Sequence, residues 1–366
     1  MWTLPLYSLL SSEKQARIFA PVPASHRLVV IATNIAETSL TIPGIKYVVD
    51  SGKVKTKFYD RLTGVSTYQV TWTSKAAANQ RAGRAGRQSA GHCYRLFSSE
   101  VFKNEFPQFA EPEIMKRPAD DLVLQMKAMK ITNVVNFPFP TPPDASTLRL
   151  AEQRLVNLGA LKPDKETKVN HVTPLGKSMS SFPVAPCFGK MLALSEQHGL
   201  MPYTIALVSA LTVQEVLLET PVGVDGDAEA GFDREDVKKI RRIWAGRKEA
   251  VKLGDPHLLL RAVLAADHES GSVGTMRDFC HRYALRYKAM VEIRKLRRQL
   301  TNEVNLVLPH LGLAVDPGLA APDNEACGLL RQIVLAGMVN QVSEGGVRGI
   351  IVIWGLFICI LSNLVD

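Results

Sequence analysis

The chain has 366 residues, of which 46% are hydrophobic and 22% are charged, a balance typical of a folded protein of two or three domains. Its net charge of +9 favours a polyanionic partner, such as a nucleic acid or a nucleotide, or an anionic membrane surface. The five cysteines never occur as CxxC, so we expect free thiols in a reducing compartment and no metal site.

The first hundred residues alternate apolar runs with helix-like stretches. Buried strands are predicted at 27–33, 46–52 and 92–98, and helices at 13–19 and 74–87. Strands that alternate with helices indicate a mostly parallel sheet covered by helices, which is an α/β arrangement.

A β-hairpin is predicted at 52–72, where two runs of strand composition flank the turn sequence RLTG. One strand of this hairpin carries Lys53, Lys55 and Lys57, which are called the hairpin lysines below. These three cations are candidate contacts for the phosphates of a nucleic acid.

The sequence becomes mostly helical after residue 112. Helices are predicted at 112–131 and 146–161, and a short strand followed by a helix at 171–183. A small helical unit with a strand of this kind fits a winged helix. Further helices are predicted from 184 to about 340, with a loop at 219–236 that we expect to be mobile.

The helix predicted at 282–304 has apolar residues at steps of three and four, which indicate a buried stripe. Basic residues crowd its remaining surface, among them Arg294 and Arg298. Such a face is ordinarily solvated, but beside a nucleic-acid channel Arg294 and Arg298 would contact phosphates. The stripe consists of Leu285, Ala289, Ile293, Leu296, Leu300 and Val304.

The stretch QRAGRAGR, residues 80–87, concentrates positive charge next to glycine. On a helix, Gln80, Arg84 and Arg87 would share one face, and two guanidiniums aimed at one point suit a phosphate. Arg81 lies off this face and could pair with an acid or a backbone group. The alternatives are an arginine-rich helix that faces water and an RNA contact of the RGG type.

Polar side chains follow the strand predicted at 27–33. Ligands bind at the carboxyl ends of parallel strands in open α/β sheets, although a cluster of this kind is more often a helix cap. The cluster comprises Thr33, Asn34, Glu37, Thr38, Ser39 and Thr41.

The two polar stretches together, ATNIAETSLTI and QRAGRAGR, resemble motifs V and VI of superfamily-two helicases, in the form found in DEAH-box RNA helicases. The resemblance extends over residues 1 to about 340. It implies a multidomain α/β plus α fold, in which every part except the last has a counterpart in the family. The parts are a partial second RecA-like lobe at 1–111, a winged helix at 112–183, a helical ratchet domain at 184–342 and a divergent apolar tail at 343–366.

The resemblance also implies a role for each residue of the arginine motif. Gln80, Arg84 and Arg87 would face the γ-phosphate of ATP, which such enzymes bind together with Mg²⁺. Arg84 and Arg87 would act as arginine fingers that stabilise charge in the transition state.

Other residues would contact the nucleotide or RNA by the same resemblance. Ser39 and Thr41 would line the nucleotide site, and Phe19 would stack on adenine, unless Phe19 is a core aromatic of the lobe. Thr33 and Asn34 would contact the RNA backbone. Many members of the family have a ribose-binding aspartate where this chain has a proline, Pro43, so that contact is not expected.

One branch of the family is indicated by the wording LTIPGIKYVVD and FPFPTPP, which resembles the nucleolar DEAH-box helicase of small-subunit ribosome assembly. That likeness implies ATP-dependent remodelling of pre-rRNA or small nucleolar RNA. The implied partners are proteins of the small-subunit processome and an activator, and the implied location is the nucleus, within the nucleolus. A DEAH-box helicase of pre-mRNA splicing is the alternative.

Two features depart from the family pattern. Neither GxxxxGK[ST] nor a DEAH tetrapeptide occurs, so we expect the first lobe to be missing and the isolated chain to be inactive; it could instead be a non-catalytic module that binds RNA or a partner. The apolar run at 349–365 is barely long enough for a membrane anchor. Because it shows no strand alternation and abruptly loses the resemblance, we expect an unrelated extension and no membrane partner.

Overall fold

The computed structural model describes residues 1–8, 10, 12–38, 40–59, 66–164, 166, 169–213, 216–218, 234–245, 252, 254–269, 273–345, 349–354 and 357–361. Two compact units divide the chain between Arg117 and Pro118. The predicted boundary at 111 falls just before a short helix that packs against the first unit's hairpin.

Parallel strand pairs form the centre of the first unit, as predicted. Within the described residues they make two separate pairs instead of one sheet. The expectation of buried strands is wrong on one face, since Ile31, Tyr47, Val49 and Tyr94 are 57–66% exposed. In the pair that contains Ile31, the alternate residues Leu28 and Val30 pack against the unit's apolar cluster. The pairs are β1 (Trp2–Leu6) with β2 (Leu28–Ala32), and β3 (Tyr47–Asp50) with β6 (His92–Arg95).

The predicted hairpin is confirmed. Strands β4 (Lys53–Tyr59) and β5 (Ser66–Trp72) pair antiparallel, with Lys53 opposite Trp72; the turn sequence RLTG lies outside the described residues. The helix predicted at 13–19 is an α-helix continued by a 3₁₀ turn at Arg17–Phe19. The helices of this unit are α1 (Ser12–Ala16), α2 (Ile35–Thr38), α3 (Lys75–Ala82), α4 (Ser99–Asn104) and α5 (Glu113–Lys116).

A small helical unit with a two-stranded wing begins the second unit. The single helix predicted at 112–131 is split, because Arg117 is extended before Pro118, as residues before proline prefer. The helix predicted at 146–161 ends at Asn157, two residues before Gly159, which has φ +77. The elements are α6 (Asp120–Ala128), α7 (Ala145–Asn157), β7 (Leu161–Pro163), β8 (Asn170–Val172) and α8 (Pro174–Ser180).

The described residues that follow form seven α-helices around the largest apolar cluster in the described part of the chain. Helix α10 is buried on nearly every side and packs against α9, α12 and α14. Most of the loop predicted at 219–236 lies outside the described residues. The helices are α9 (Pro186–Ser195), α10 (Met201–Thr212), α11 (Arg234–Ala245), α12 (Asp255–His268), α13 (Val273–Arg282), α14 (Tyr287–Val307) and α15 (Asn324–Gly337).

Helix α14 confirms the predicted buried stripe, since Ala289, Ile293, Leu300 and Val304 are all at most 4% exposed. It begins at Tyr287, five residues later than the predicted start at 282. The reason is local, because Ala284 adopts a left-handed backbone with φ 50 and no helix continues through such a residue.

The tail forms strands although its sequence shows no strand alternation. Strands β9 (Val342–Gly345), β10 (Gly349–Trp354) and β11 (Phe357–Leu361) form an antiparallel three-stranded sheet. The run is rich in isoleucine and valine, which favour extended backbone. Among the helices in the described ranges, none combines the length and the apolar character needed to cross a bilayer.

Candidate functional site

The arginine motif begins on a helix and continues on a loop. Helix α3 ends at Ala82, and the next turn closes through tighter bonds, with the Arg84 amide donating to the Arg81 carbonyl at 3.1 Å. The predicted helix to residue 87 is therefore too long, because the motif's two glycines disfavour helix. Gln80 lies exposed on the last turn of α3, whereas Arg84 and Arg87 lie beyond it.

Folding brings the two motif stretches together. The Nη1 atom of Arg87 donates to Thr41 Oγ1 at 3.1 Å, and the Gly44 amide donates to Gln88 Oε1 at 2.8 Å. Gly44 has φ +74 and follows Pro43, the residue order of a type II turn. Pro43 therefore belongs to the turn onto which the arginine loop docks, and Gln88 is a contact that sequence reasoning missed.

Arg84 carries unsatisfied donors. Its Nε and Nη1 atoms are buried, and neither has a hydrogen-bond partner in the described part of the chain. Burial lowers the pKa of Arg84, nearby Arg87 lowers it further, and Glu37 acts in the opposite direction. Two neighbouring guanidiniums, one of them with free buried donors, complement an anion such as a phosphate.

Arg81, by contrast, is fully engaged inside the unit. Its Nε donates to Glu37 Oε2 at 2.9 Å and its Nη1 to Asp50 Oδ1 at 3.0 Å. The same Nη1 reaches the Lys53 carbonyl at 3.1 Å. The predicted pairing with an acid and a backbone group is confirmed. Sequence reasoning missed Asp50. The available signal was its position at the carboxyl end of β3, which corresponds to the position of the polar cluster after β2.

Phe19 and the polar residues after β2 that are expected to contact nucleotide and RNA are exposed wherever the structure describes them. Phe19 is 47% exposed, so the alternative of a core aromatic is wrong. Thr41 is exposed, and Ser39 lies outside the described residues. Thr33 and Asn34 are exposed at the carboxyl end of β2, and their carbonyls accept the first backbone bonds of α2.

The hairpin lysines form a basic strip with aromatic neighbours. All three are exposed, and they alternate along β4, so they share one face. Lys53 Nζ lies 3.0 Å from the centroid of the Trp72 ring, and Lys55 Nζ lies 4.9 Å from that of Tyr68. The strip is suited to the phosphates of a single strand.

The basic face of α14 is divided by burial. Arg294 Nε donates to Asp267 Oδ1 at 2.7 Å, and Arg297 Nη1 donates to Asp267 Oδ2. Arg294 is therefore engaged in a helix–helix ion pair with Asp267, and its role as a phosphate contact stays a prediction. Arg298 is exposed, and its contact with a phosphate stays a prediction. Across the described ranges, no cluster of histidine, cysteine, aspartate or glutamate has the makings of a metal site.

Three family models match successive parts of the chain. They are the helicase conserved C-terminal domain at residues 3–89, the winged-helix part of the helicase associated domain at 151–184, and its ratchet-like part at 185–259. These matches cover the arginine motif, the wing and the first part of the helical core, in that order. Several similar proteins are named as ATP-dependent RNA helicases. A Drosophila melanogaster protein, probable ATP-dependent RNA helicase kurz, is 57% identical over 94% of this chain.

This chain belongs to the DEAH-box RNA helicase family. The human protein named probable ATP-dependent RNA helicase DHX37 is 52% identical over 93% of the chain. The Saccharomyces cerevisiae protein named probable ATP-dependent RNA helicase DHR1 is 41% identical over 94% of it. The chain spans only 29–30% of the length of these relatives.

Proposed function

We propose that this chain supplies the phosphate-sensing and RNA-gripping part of an ATP-dependent RNA helicase. The observation that supports this most directly is Arg84, whose Nε and Nη1 atoms are buried without a hydrogen-bond partner in the described residues. Arg87 stands three residues further along, on the same loop. An arriving phosphate satisfies these donors and relieves the repulsion between the two cations.

Arg84 and Arg87 act on the transition state. Both guanidiniums neutralise the charge that develops on the γ-phosphate oxygens, and the exposed amide of Gln80 faces the same group. Bound Mg²⁺ supplies further charge neutralisation at the phosphates. The family resemblance assigns the main Mg²⁺ ligands to the first helicase lobe.

RNA is gripped mainly through its phosphates. Thr33 and Asn34, exposed after β2, the hairpin lysines and Arg298 supply polar and cationic groups for the backbone. Contacts to phosphate and sugar position a strand but carry little sequence information. The chain therefore binds single strands with little sequence preference.

The RNA is a ribosomal precursor or a small nucleolar RNA of small-subunit assembly, bound in the nucleolus together with processome proteins and an activator. The wording of the motif V region, which resembles that branch of the family, supports this assignment. Crosslinking of the tagged chain in cells, followed by sequencing of the bound RNA, tests it. Enrichment of small-subunit precursor RNA supports the assignment, whereas enrichment of spliceosomal RNA favours a splicing helicase.

ATP hydrolysis is tested by phosphate release in saturating single-stranded RNA. The chain alone should show no turnover. A polypeptide that also contains a first helicase lobe should turn over and lose a factor of about 10³ to 10⁵ in rate with Arg84→Ala or Arg87→Ala. Arg17→Ala, an exposed arginine of the same unit, is the matched control and should leave the rate unchanged. Undiminished turnover in the Arg84 and Arg87 variants contradicts the finger assignment.

A further inference from the structure

Arg81 joins four segments of the first unit. Its Nε bonds to Glu37 on α2 at 2.9 Å, its Nη1 to Asp50 at the end of β3 at 3.0 Å, and its Nη2 to Thr73 before α3 at 3.3 Å. Nη1 also donates to the carbonyl of Lys53, the first residue of the hairpin, at 3.1 Å. The side chain sits on the last turn of α3, three residues before Arg84.

The root of the hairpin is rigid. The Thr73 amide donates to the Gly52 carbonyl at 2.8 Å, and the Gly52 amide donates to Asp50 Oδ1 at 2.9 Å. Gly52 has φ +68, and a Cβ there would lie 2.7 Å from ring atoms of Phe97 and Phe106. Because these contacts leave no hinge, a displacement of the Lys53 carbonyl is carried into the strand with the hairpin lysines.

The charges around Arg81 require a guanidinium. The Arg81 and Glu37 side chains are each 15% exposed, and that of Asp50 is 2% exposed, so two carboxylates share one cation in a poorly solvated place. A planar fork reaches acceptors in several directions at once, whereas a lysine ammonium is a single point. Arg81→Lys therefore keeps the charge and loses the four-way connection.

We propose that Arg81 is a positioning residue, which fixes the hairpin lysines relative to the end of α3. The hairpin that grips RNA therefore moves together with the segment that carries Arg84. The proposal rests on the proposed function, since it assumes that the hairpin lysines bind RNA. Arg81 itself touches neither RNA nor phosphate. It acts through the Lys53 carbonyl and through Glu37.

The test uses the purified chain and a fluorescent oligouridylate, with affinity measured by anisotropy over a range of salt concentrations. Arg81→Lys should lower the affinity by about fivefold or more, the lower end of typical coupling factors. The salt slope should fall by up to about 2, since each phosphate contact contributes about 0.7 for a single strand. In a background where all three hairpin lysines are alanine, Arg81→Lys should have no further effect.

Two further variants separate positioning from a general loss of stability. Glu37→Gln removes one partner of Arg81 and should give a smaller loss of affinity that does not add to that of Arg81→Lys. Arg154→Lys makes the same change in the Arg154–Asp120 pair of the second unit, where the side chains are 19% and 15% exposed. It should leave RNA affinity unchanged, with thermal unfolding followed for every variant.

The outcomes distinguish this proposal from the proposed function. Absence of salt-sensitive RNA binding by the unmodified chain overturns the RNA-gripping function itself. RNA binding that is unaffected by Arg81→Lys overturns only the positioning role. The same holds if Arg81→Lys weakens binding equally with and without the hairpin lysines, or if Arg154→Lys causes an equal loss.

Discussion

Asp267 is the position where a single atom change should damage the second unit most clearly. It is 4% exposed and accepts hydrogen bonds from Arg294 and Arg297, and Arg297 is itself 2% exposed. Asp267→Asn keeps the shape of the side chain but removes its charge. It also turns an amide donor toward guanidinium donors, which leaves Arg297 buried without its counter-ion.

The size of the effect follows from the burial. Breaking a buried ion pair by removing one partner costs about 3–5 kcal/mol. For a unit of this size that corresponds to a fall in melting temperature of about 6–20 °C. Arg294→Met should cost less, about 1.5–3 kcal/mol, because the Arg294 side chain is 27% exposed and its loss leaves Arg297 paired with Asp267.

The assay is urea unfolding followed by far-ultraviolet circular dichroism, which the helices of the second unit dominate. Glu292→Gln, at an exposed position of α14, the helix that carries Arg294, is the control and should change stability by less than about 0.5 kcal/mol. An Asp267→Asn variant as stable as the wild type would refute the buried ion pair. An Arg294→Ala variant that keeps full stability but binds RNA more weakly would support Arg294 as an RNA contact.

Three further predictions concern pH, backbone strain and salt. Burial, with Arg261 adding to it, lowers the pKa of His257 from 6.5 to about 4. Between these pH values the unfolded chain binds a proton at His257 and the folded chain does not, so the free energy of unfolding should fall by up to about 3 kcal/mol as the pH drops through that window. In unfolding curves taken at several pH values, His257→Gln should remove this effect and His198→Gln should not. Gly52→Ala places a Cβ against two phenylalanine rings at φ +68 and should cost at least about 1–3 kcal/mol in thermal unfolding, whereas Gly86→Ala, which meets open space, should be harmless. Alanine at each of the hairpin lysines should lower the salt slope of RNA binding by about 0.7, and an unchanged slope would remove the hairpin from the RNA site.

Part of the site could be predicted because it depends on residues that are near one another in the chain. The hairpin follows from two strand-like runs around a turn, and the polar cluster follows from the end of β2. The predicted end of α3 at residue 87 was wrong, because the periodicity of apolar and basic residues does not show that the two glycines of the motif end the helix at Ala82. Ser74, whose Oγ accepts from the Ala77 amide at 3.1 Å, marks the start of α3 as an ordinary N-cap.

The sequence by itself determined the family, the order of the domains, the types of most elements and which residues are candidates to bind phosphate. Only the tertiary structure decided which arginines are free to do so. Arg81 and Arg84 are three residues apart. The Arg81 side chain donates hydrogen bonds to Glu37, Asp50 and Thr73. Arg84 keeps donors without a partner among the described residues. The same holds on α14, where Arg294 donates a hydrogen bond to Asp267 on another helix and Arg298 is exposed. The physical reason is that a guanidinium's availability depends on carboxylates distant in sequence, and folding alone brings those into contact.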